Sequence, residues 1–251
     1  MPVTIHDLAV RLRELGITQG AVIEVHSSLS AFGWIDGGAE AIIAALIDTV
    51  GLDGTLVMSA YPVSPAVPLD DADTALGVTW KVRILPFDGT EPTGMGLVAD
   101  TFRQRADVVS GQSFFRTCAW GQDAQAHTEG YQHLLDMDGW CLLLGVGIHR
   151  CSSMHAAEDA PLPAAIAAYS EIPESVRSLY DLQHWNIGYR DTPEDAWQKV
   201  WNLADQQGLI RHAKIGKAAC HLFKPRALVE LYRHWRTADP YRLYGVPEPH
   251  G

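Results

Sequence analysis

The sequence predicts a single α/β domain in which helices are layered around a mixed, largely parallel sheet. Apolar strands alternate with amphipathic helices along most of the 251 residues. The first strand, helix and strand fit within residues 21–60, which predicts a βαβ unit with a parallel pair and a right-handed crossover. The chain is also long enough for one sizeable core, and 47% of it is hydrophobic.

The elements are predicted in chain order from periodicity and turn residues. MPVTIHDLAVRLRELG is typical of an amphipathic helix, and a strand at Ala21–His26, a helix at Ala39–Val50 and the strand GTLVMSAY follow it. MGLVADTFRQR predicts a helix, TCAWG and WCLLLGVG short strands, and SMHAAEDA the start of a helix. TPEDAWQKVWNLADQQG predicts a helix capped by Thr192, with Pro193 at its first position and Gly208 beyond its end. KAACHLFKP and PRALVELYRHW complete the chain as a strand and a helix.

Residues 62–86 interrupt this alternation. The segment is rich in proline and aspartate and only weakly periodic. Long irregular segments in compact domains are usually functional loops. The patterns on either side are continuous, so we predict a lid within one domain spanning residues 1–251 rather than a linker between two domains.

The charge balance excludes several classes of partner. The formal net charge is −11 with no cluster of lysine and arginine, which disfavours nucleic acid and membranes and favours a cationic small molecule. No apolar run is long enough to span a bilayer, and the N-terminal stretch lacks the pattern of a signal peptide, so a cytoplasmic location is expected. The widely spaced Cys118, Cys141, Cys151 and Cys220 fit a reducing compartment and neither a disulfide framework nor a zinc knuckle.

One candidate site is the loop HSSLSAFGWIDGG, which follows the first strand. Ligands of α/β sheets bind beyond the carboxyl ends of strands, and the start of the next helix favours a phosphate or carboxylate. The loop matches neither a dinucleotide nor a Walker fingerprint. It is therefore either a phosphate- or pantetheine-binding loop or an ordinary βα loop capped by serine. Its serines lack the G-x-S-x-G elbow of a hydrolase nucleophile.

A second candidate site is GVGIHRCSSMHAAEDAP, residues 145–161. Capping by Ser152 or Ser153 would place His155 in the first turn of a helix, with Glu158 three positions on and on the same face. A carboxylate beside an imidazole is an arrangement suited to a general base. The alternatives are a capped helix with a structurally satisfied histidine, or a metal site completed by His149.

Four blocks of the chain, in this order, resemble the aminoglycoside 3-N-acetyltransferase (antibiotic N-acetyltransferase) family. They are VHSSLSAFGWIDGGAEAIIAALIDTVGLDGTLVMSAY, PFDGTEPTGMGLVADTFRQRADVVS, LLLGVGIHRCSSMHAAE and GLIRHAKIGKAACHLF. The resemblance implies direct transfer of acetyl from acetyl-CoA to the 3-amino group of a 2-deoxystreptamine antibiotic. It implies no covalent enzyme intermediate and no metal.

Matched residue by residue, the resemblance implies that His155 is the general base, Glu158 its acidic neighbour, and Ser152 a hydrogen-bonding group near the thioester. The expected coenzyme contacts are His26, Ser27, Ser28, Leu29, Ser30, Phe32, Gly33 and Ser110. Multiply charged aminoglycosides need carboxylates, and the expected acceptor contacts are Tyr61, Asp70, Asp71, Asp73 and Glu129. Backbone N–H groups at Ser28–Leu29 or Ser152 are the expected donors to the oxyanion.

The acceptor side departs from the family pattern. The usual S-x-H-P is replaced by SGQSFFRTCAWG, and residues 121–140 are fewer than usual. A different amine from a biosynthetic pathway is therefore a second hypothesis. From other classes, a metal-dependent hydrolase using His149, His155 and Glu158, or a non-catalytic protein that sequesters a cationic drug, also fit the pattern. The sequence does not determine the oligomeric state, and a homodimer is one arrangement compatible with it.

Overall fold

A seven-stranded mixed sheet runs through the centre of the computed structural model, which describes residues 4–249. The strands are β1 Val22–Ser27, β2 Thr55–Ser59, β3 Val78–Arg83, β4 Val109–Ser110, β5 Thr117–Gly121, β6 Trp140–Leu144, β7 Trp185–Tyr189, β8 Ile210–Ile215 and β9 Ala218–Phe223. The large sheet has the order β4-β5-β2-β1-β6-β9-β8. β3 and β7 pair separately in a two-stranded antiparallel sheet, which we call the small sheet.

The large sheet is parallel only at its centre. β1 pairs in parallel with β2 and with β6, whereas the other neighbouring strands are antiparallel. The mixed α/β class is confirmed, but the expectation of a largely parallel sheet is wrong. One reason is that only Gly216 and Lys217 separate β8 from β9, and so short a connection joins only antiparallel strands.

Helices cover both faces of the large sheet. They are α1 Ile5–Leu15, α2 Gly38–Val50, α3 Asp71–Ala75, α4 Leu97–Arg103, α5 Gln132–Asp136, α6 Ala164–Ser170, α7 Glu174–Arg177, α8 Ala196–Gln206, α9 Pro225–Ala238 and α10 Pro240–Tyr244. α1 begins with a capping box between Thr4 and Asp7 and ends at Gly16. The first three residues of the predicted N-terminal helix, and residues 250–251 of the predicted domain, lie outside the described residues.

The alternation of side chains along β6 divides the apolar residues between two cores. Leu142 and Leu144 belong to the cluster formed with α1, α2 and α4. Cys141 and Leu143 belong to the cluster formed with α8 and α9. Successive side chains of a strand point to opposite faces, so the apolar run WCLLL predicts a strand covered on both sides.

The segment 62–86 is more ordered than a loop. It contains α3 and β3, and β3 pairs with β7 more than 100 positions along the chain, from Val78 opposite Tyr189 to Arg83 opposite Trp185. Val78, Val176, Ile187 and Tyr189 form a buried apolar cluster of their own. That the segment acts as a lid remains a prediction.

Two predicted helices begin differently from expectation. Residues Ser152–Ala157 form a 3-10 helix without a side-chain cap, and Pro161 and Pro163 follow, where helical backbone is disfavoured. α8 begins after Asp195, which accepts the Gln198 N–H, rather than after Thr192. Gly208 lies beyond its end, as predicted. Within residues 4–249, no helix combines the length and the apolar character that crossing a membrane requires.

Candidate active site

The parallel strands β1, β2 and β6 end at one edge of the sheet, where a cleft of about 870 Å³ opens. The last two residues of β1, residues 28–30 and Gly33 line it on one side. Ser59 at the end of β2, Tyr61 beyond it and Val146 beyond β6 also line it. The small sheet contributes Trp80, Val82 and Asn186 to the wall. A cleft of this size beyond the strand ends is a suitable place for two ligands to meet.

His155 lines the cleft and is held from behind by Glu158. His155 Nδ1 lies 2.7 Å from Glu158 Oε2, and 60% of the histidine side chain is exposed. The ring of Trp197 meets the imidazole edge to face, with 4.8 Å between ring centroids. Glu158 therefore engages Nδ1, and Nε2 is the nitrogen left to exchange a proton with a ligand.

Glu158 itself is fixed by groups from the C-terminal helices. Its Oε1 accepts a hydrogen bond from the Tyr232 hydroxyl at 3.3 Å, and Tyr232 lies 2.8 Å from the Tyr244 hydroxyl. Arg236 donates to Tyr244 at 2.6 Å. Burial alone would raise the pKa of Glu158, but the hydrogen bond from His155 and the charge of Arg236 bring this pKa below its ordinary value. The carboxylate is thus kept ionised beside the imidazole.

A second histidine–glutamate pair lies beneath the cleft. Glu24 is fully buried in the middle of β1, and its Oε1 lies 2.6 Å from His26 Nε2. The same oxygen accepts the Ser153 N–H at 3.1 Å. The Ser152 N–H points at His26 Nε2 at 3.4 Å. This pair connects the end of β1 to the 3-10 helix that carries His155.

Hydroxyl groups continue this polar floor. Ser59 Oγ lies 2.9 Å from the Tyr131 hydroxyl and 3.1 Å from Ser152 Oγ. Burial raises the pKa of the Tyr61 phenol, and the nearby hydroxyls of Ser152 and Ser59 oppose that rise. The predicted Ser152 therefore lies in a hydroxyl cluster at the cleft, although it caps no helix.

Most, but not all, of the predicted coenzyme contacts lie together. His26, Ser27, Ser28, Leu29, Ser30 and Gly33 line the cleft. Phe32 is only 2% exposed and belongs to the core. Ser110 lies on the edge strand β4, beside a smaller separate cavity. Phe32 and Ser110 thus lie outside the lining of the cleft. The Ser28 N–H donates to the Leu144 carbonyl, so it is not free to serve as an oxyanion donor.

Among the predicted acceptor contacts, Tyr61 lines the cleft and the acids do not. Asp70 caps α3 and accepts the Asp73 N–H. Asp73 is buried in an ion pair with Lys81, 2.5 Å away. Glu129 accepts the N–H groups of residues 112 and 113. Asp71 lies on α3, outside the lining. The structure thus places Asp70, Asp71, Asp73 and Glu129 outside the lining, and three of them stabilise local backbone or pair internally. Their contact with an acceptor stays a prediction.

The alternative metal site is not assembled. His149 Nδ1 lies 3.3 Å from Asp195, away from the pairing of His155 with Glu158. Within residues 4–249, the His, Cys, Asp and Glu side chains grouped closely enough to share an ion are Glu24, His26 and Cys141, whose ligand atoms lie within 4.8 Å of one another. The imidazole and a carboxylate oxygen of that group are already bonded to each other.

Sequence reasoning missed Glu24, Ser59, Tyr131, Trp80 and Asn186. A signal was present for Glu24, because a carboxylate in the otherwise apolar strand AVIEVHSS is rarely buried without a partner. No comparable signal marks Trp80 or Asn186, because their strands β3 and β7 are far apart in the sequence and pair only in the folded chain.

Comparison with known proteins shows the family of the chain. A family model described as aminoglycoside 3-N-acetyltransferase matches residues 25–237. The chain is 27% identical over 257 residues to the SPbeta prophage-derived aminoglycoside N(3')-acetyltransferase-like protein YokD of Bacillus subtilis (strain 168), covering 93% of this chain and 92% of that protein.

Two solved structures share the fold. AAC-IIIb in a binary complex with CoASH has a TM-score of 0.67 and 22% identity, covering 99% of this chain and 100% of that chain. A variant of aminoglycoside acetyltransferase AAC(3)-IVa in complex with a gentamicin has a TM-score of 0.71 and 21% identity, covering 99% and 93%.

Proposed function

The chain belongs to the aminoglycoside 3-N-acetyltransferase family, a family of acyltransferases, and from this premise we propose that it transfers acetyl directly from acetyl-CoA to an amine, with His155 as general base. The pairing of His155 Nδ1 with Glu158 at 2.7 Å, in a ring that lines the cleft, carries this proposal. Aminoglycosides are the first acceptors to test, because the relatives are named for them.

An ammonium group has no lone pair, so a proton must leave the acceptor nitrogen before or during its attack. His155 Nε2 receives that proton, and Glu158 stabilises the imidazolium through Nδ1. When bound, acetyl-CoA supplies a thioester whose C–S bond breaks as the new C–N bond forms. The proton carried by His155 then passes to the departing sulfur, and the nitrogen releases its second proton to solvent, which gives the neutral N-acetyl product and the free thiol of coenzyme A.

The residues of the cleft fit this co-substrate. The wall after β1 is built mainly from small side chains, Ser27, Ser28, Ser30 and Gly33, and Gly94 and Gly96 also line the cleft. Small residues let a narrow chain such as pantetheine approach the backbone. Arg150 lines the same cleft and supplies a cation suited to phosphate groups.

The test is release of coenzyme A thiol from acetyl-CoA in the presence of an amine panel, with wild type and His155→Ala compared. A positioned base contributes about 10²–10⁴-fold, so the variant should lose turnover by that order while its affinity for coenzyme A, measured by calorimetry, stays within about twofold. His184→Ala is a matched control, because His184 is an exposed histidine held by Asp181 in the same i,i+3 arrangement.

Undiminished turnover in His155→Ala would remove the base from the mechanism. Accumulation of an acetylated protein during turnover, detected by mass spectrometry, would contradict direct transfer. Binding of coenzyme A without thiol release for any amine would favour a non-catalytic binding protein.

A further inference from the structure

The cleft has an unusual lining for a site that would bind a polycation. Among the residues of 4–249 that line it, none is an aspartate or a glutamate. An aminoglycoside carries several ammonium groups, and each buried ammonium needs a carboxylate or an equivalent partner. The overall charge of −11 therefore does not extend to the surfaces that a ligand would touch.

Three carboxylates lie next to histidines of the lining. Glu158 lies behind His155 and bonds to its Nδ1. Glu24 lies beneath His26 and is fully buried. Asp195 is 3.3 Å from His149. Each of these three acids already pairs with a histidine that lines the cleft.

The charge that does line the cleft has the opposite sign. Arg150 lines it, and a guanidinium stays protonated throughout the working pH range. Arg150 therefore offers no partner to the additional ammonium groups of a polycation, whereas an amine with a single charge loses that charge as His155 takes its proton.

The wall contributed by the small sheet and the loop before β5 is aromatic. Trp80 is 43% exposed and Phe115 is 66% exposed, and Phe115 meets Tyr61 edge to face with 5.7 Å between centroids. The Trp80 indole lies across Gly188 of the neighbouring strand, where a Cβ would come within 2.1 Å of its Nε1. Gly188 thus permits the indole to lie flat on the strand, as part of the cleft wall.

Resting on the proposed function, we propose that the acceptor is a primary amine on an aromatic or similarly flat apolar body, with no charge beyond that of the reacting ammonium. Contact with a flat apolar body buries the apolar surface of the exposed aromatic rings, and this burial favours binding. Sugars also stack on aromatic rings, so the decisive feature is the lack of carboxylates along the described lining.

The experiment compares two groups of probes by thiol release from acetyl-CoA: tryptamine and 2-phenylethylamine against gentamicin, apramycin and sisomicin. We expect kcat/KM for the better arylalkylamine to exceed that of every aminoglycoside by about tenfold or more. Higher kcat/KM for any of the three aminoglycosides would overturn the proposal.

Two variants locate the effect in the cleft wall. Trp80→Ala should raise KM for tryptamine about tenfold and leave KM for acetyl-CoA unchanged, while Trp34→Ala, which removes a tryptophan that is 77% exposed outside the lining, should change neither. Asn186→Asp adds a carboxylate of nearly the same shape and should raise kcat/KM for gentamicin about tenfold. If neither Trp80→Ala nor Asn186→Asp changes these kinetic constants, the assignment of the two residues to the acceptor wall is contradicted.

Binding measurements distinguish failure of the proposed function from failure of the acceptor proposal. If no amine releases thiol, the transferase mechanism fails, and calorimetry of the same probes with wild-type protein decides the acceptor class alone. Tighter binding of tryptamine than of gentamicin supports the proposal. The reverse order, or no binding of either, overturns it.

Discussion

Glu24 Oε1 lies 2.6 Å from His26 Nε2 and accepts the Ser153 N–H at 3.1 Å. One buried carboxylate oxygen therefore connects the loop that begins at the end of β1 with the 3-10 helix carrying His155. The two sides of the cleft keep their spacing because they share this acceptor.

We expect Glu24→Gln to lower kcat/KM about tenfold, since a charged hydrogen bond is worth about 1.5–3 kcal/mol and a neutral one about 0.5–1.5. Thiol-release kinetics and the melting temperature are the measurements. Glu230→Gln, at an exposed position of α9, is the control. Equal kinetics for Glu24→Gln and Glu230→Gln would show that the buried pair does not position the site.

Replacing Glu158 by Gln should lower kcat by about tenfold or more while KM for acetyl-CoA stays constant, because a neutral amide stabilises the imidazolium less than a carboxylate does. Steady-state kinetics with saturating acceptor give both constants. Asp181→Asn removes the acid of the comparable His184–Asp181 pair, whose atoms are 2.6 Å apart. It should leave both constants unchanged. An increase in KM with an unchanged kcat would contradict a role for Glu158 in proton transfer.

Asp73→Asn should loosen the small sheet. Hydrogen bonding to Lys81, and then to Tyr180, lowers the pKa of Asp73 to about 2, so the pair stabilises the folded state above the ordinary pKa of 3.8 and is lost as the pH falls through about 2. Breaking a buried pair costs about 3–5 kcal/mol. Hydrogen exchange of residues 78–83 should therefore accelerate in the variant.

The matched control for Asp73 is Asp71→Asn, two positions earlier on the same short helix and exposed. It should leave both hydrogen exchange and acceptor KM unchanged. An increase of acceptor KM in Asp71→Asn would restore the acidic segment to a direct role in binding.

His127 should make stability depend on pH. The side chain is 1% exposed, its two ring nitrogens have no hydrogen-bond partner among the described residues, and burial lowers its pKa from 6.5 to about 4. Between these values the unfolded chain binds a proton that the folded chain does not, so the free energy of unfolding falls as the pH drops from 6.5 to 4. At about 1.4 kcal/mol per unit, the loss amounts to up to about 3 kcal/mol.

Urea unfolding at several pH values measures this slope. His127→Asn should flatten it, and His6→Asn, at an exposed position, should retain it. The same slope in both variants would assign the pH dependence to other groups.

The central βαβ unit could be predicted because its signals are local. The apolar run of β1, the helical spacing of α2 and the turn at Gly51–Gly54 lie within residues 21–60. The His155–Glu158 contact was predictable for the same reason, since a separation of three brings side chains together in a 3-10 helix as well as in an α-helix.

The small sheet could not be predicted in this way. Val78 pairs with Tyr189, and no nearby residue of either strand indicates the partner. The charge of the acidic stretch around α3 suggested a ligand, whereas the spacing of Asp70 and Asp73 also matches the capping box that the structure shows. Composition alone cannot separate an acid that binds a cation from one that caps a helix.

The small sheet has its own buried cluster of Val78, Val176, Ile187 and Tyr189, while His155 and the loop after β1 stand on the large sheet. Residues 80, 82 and 186 reach the cleft from this separate two-stranded platform. On the proposed function, exchange of a few side chains on this platform would change acceptor preference and leave the proposed acyl-transfer residues intact. A combinatorial library confined to those three positions is the economical route to enzymes of altered selectivity.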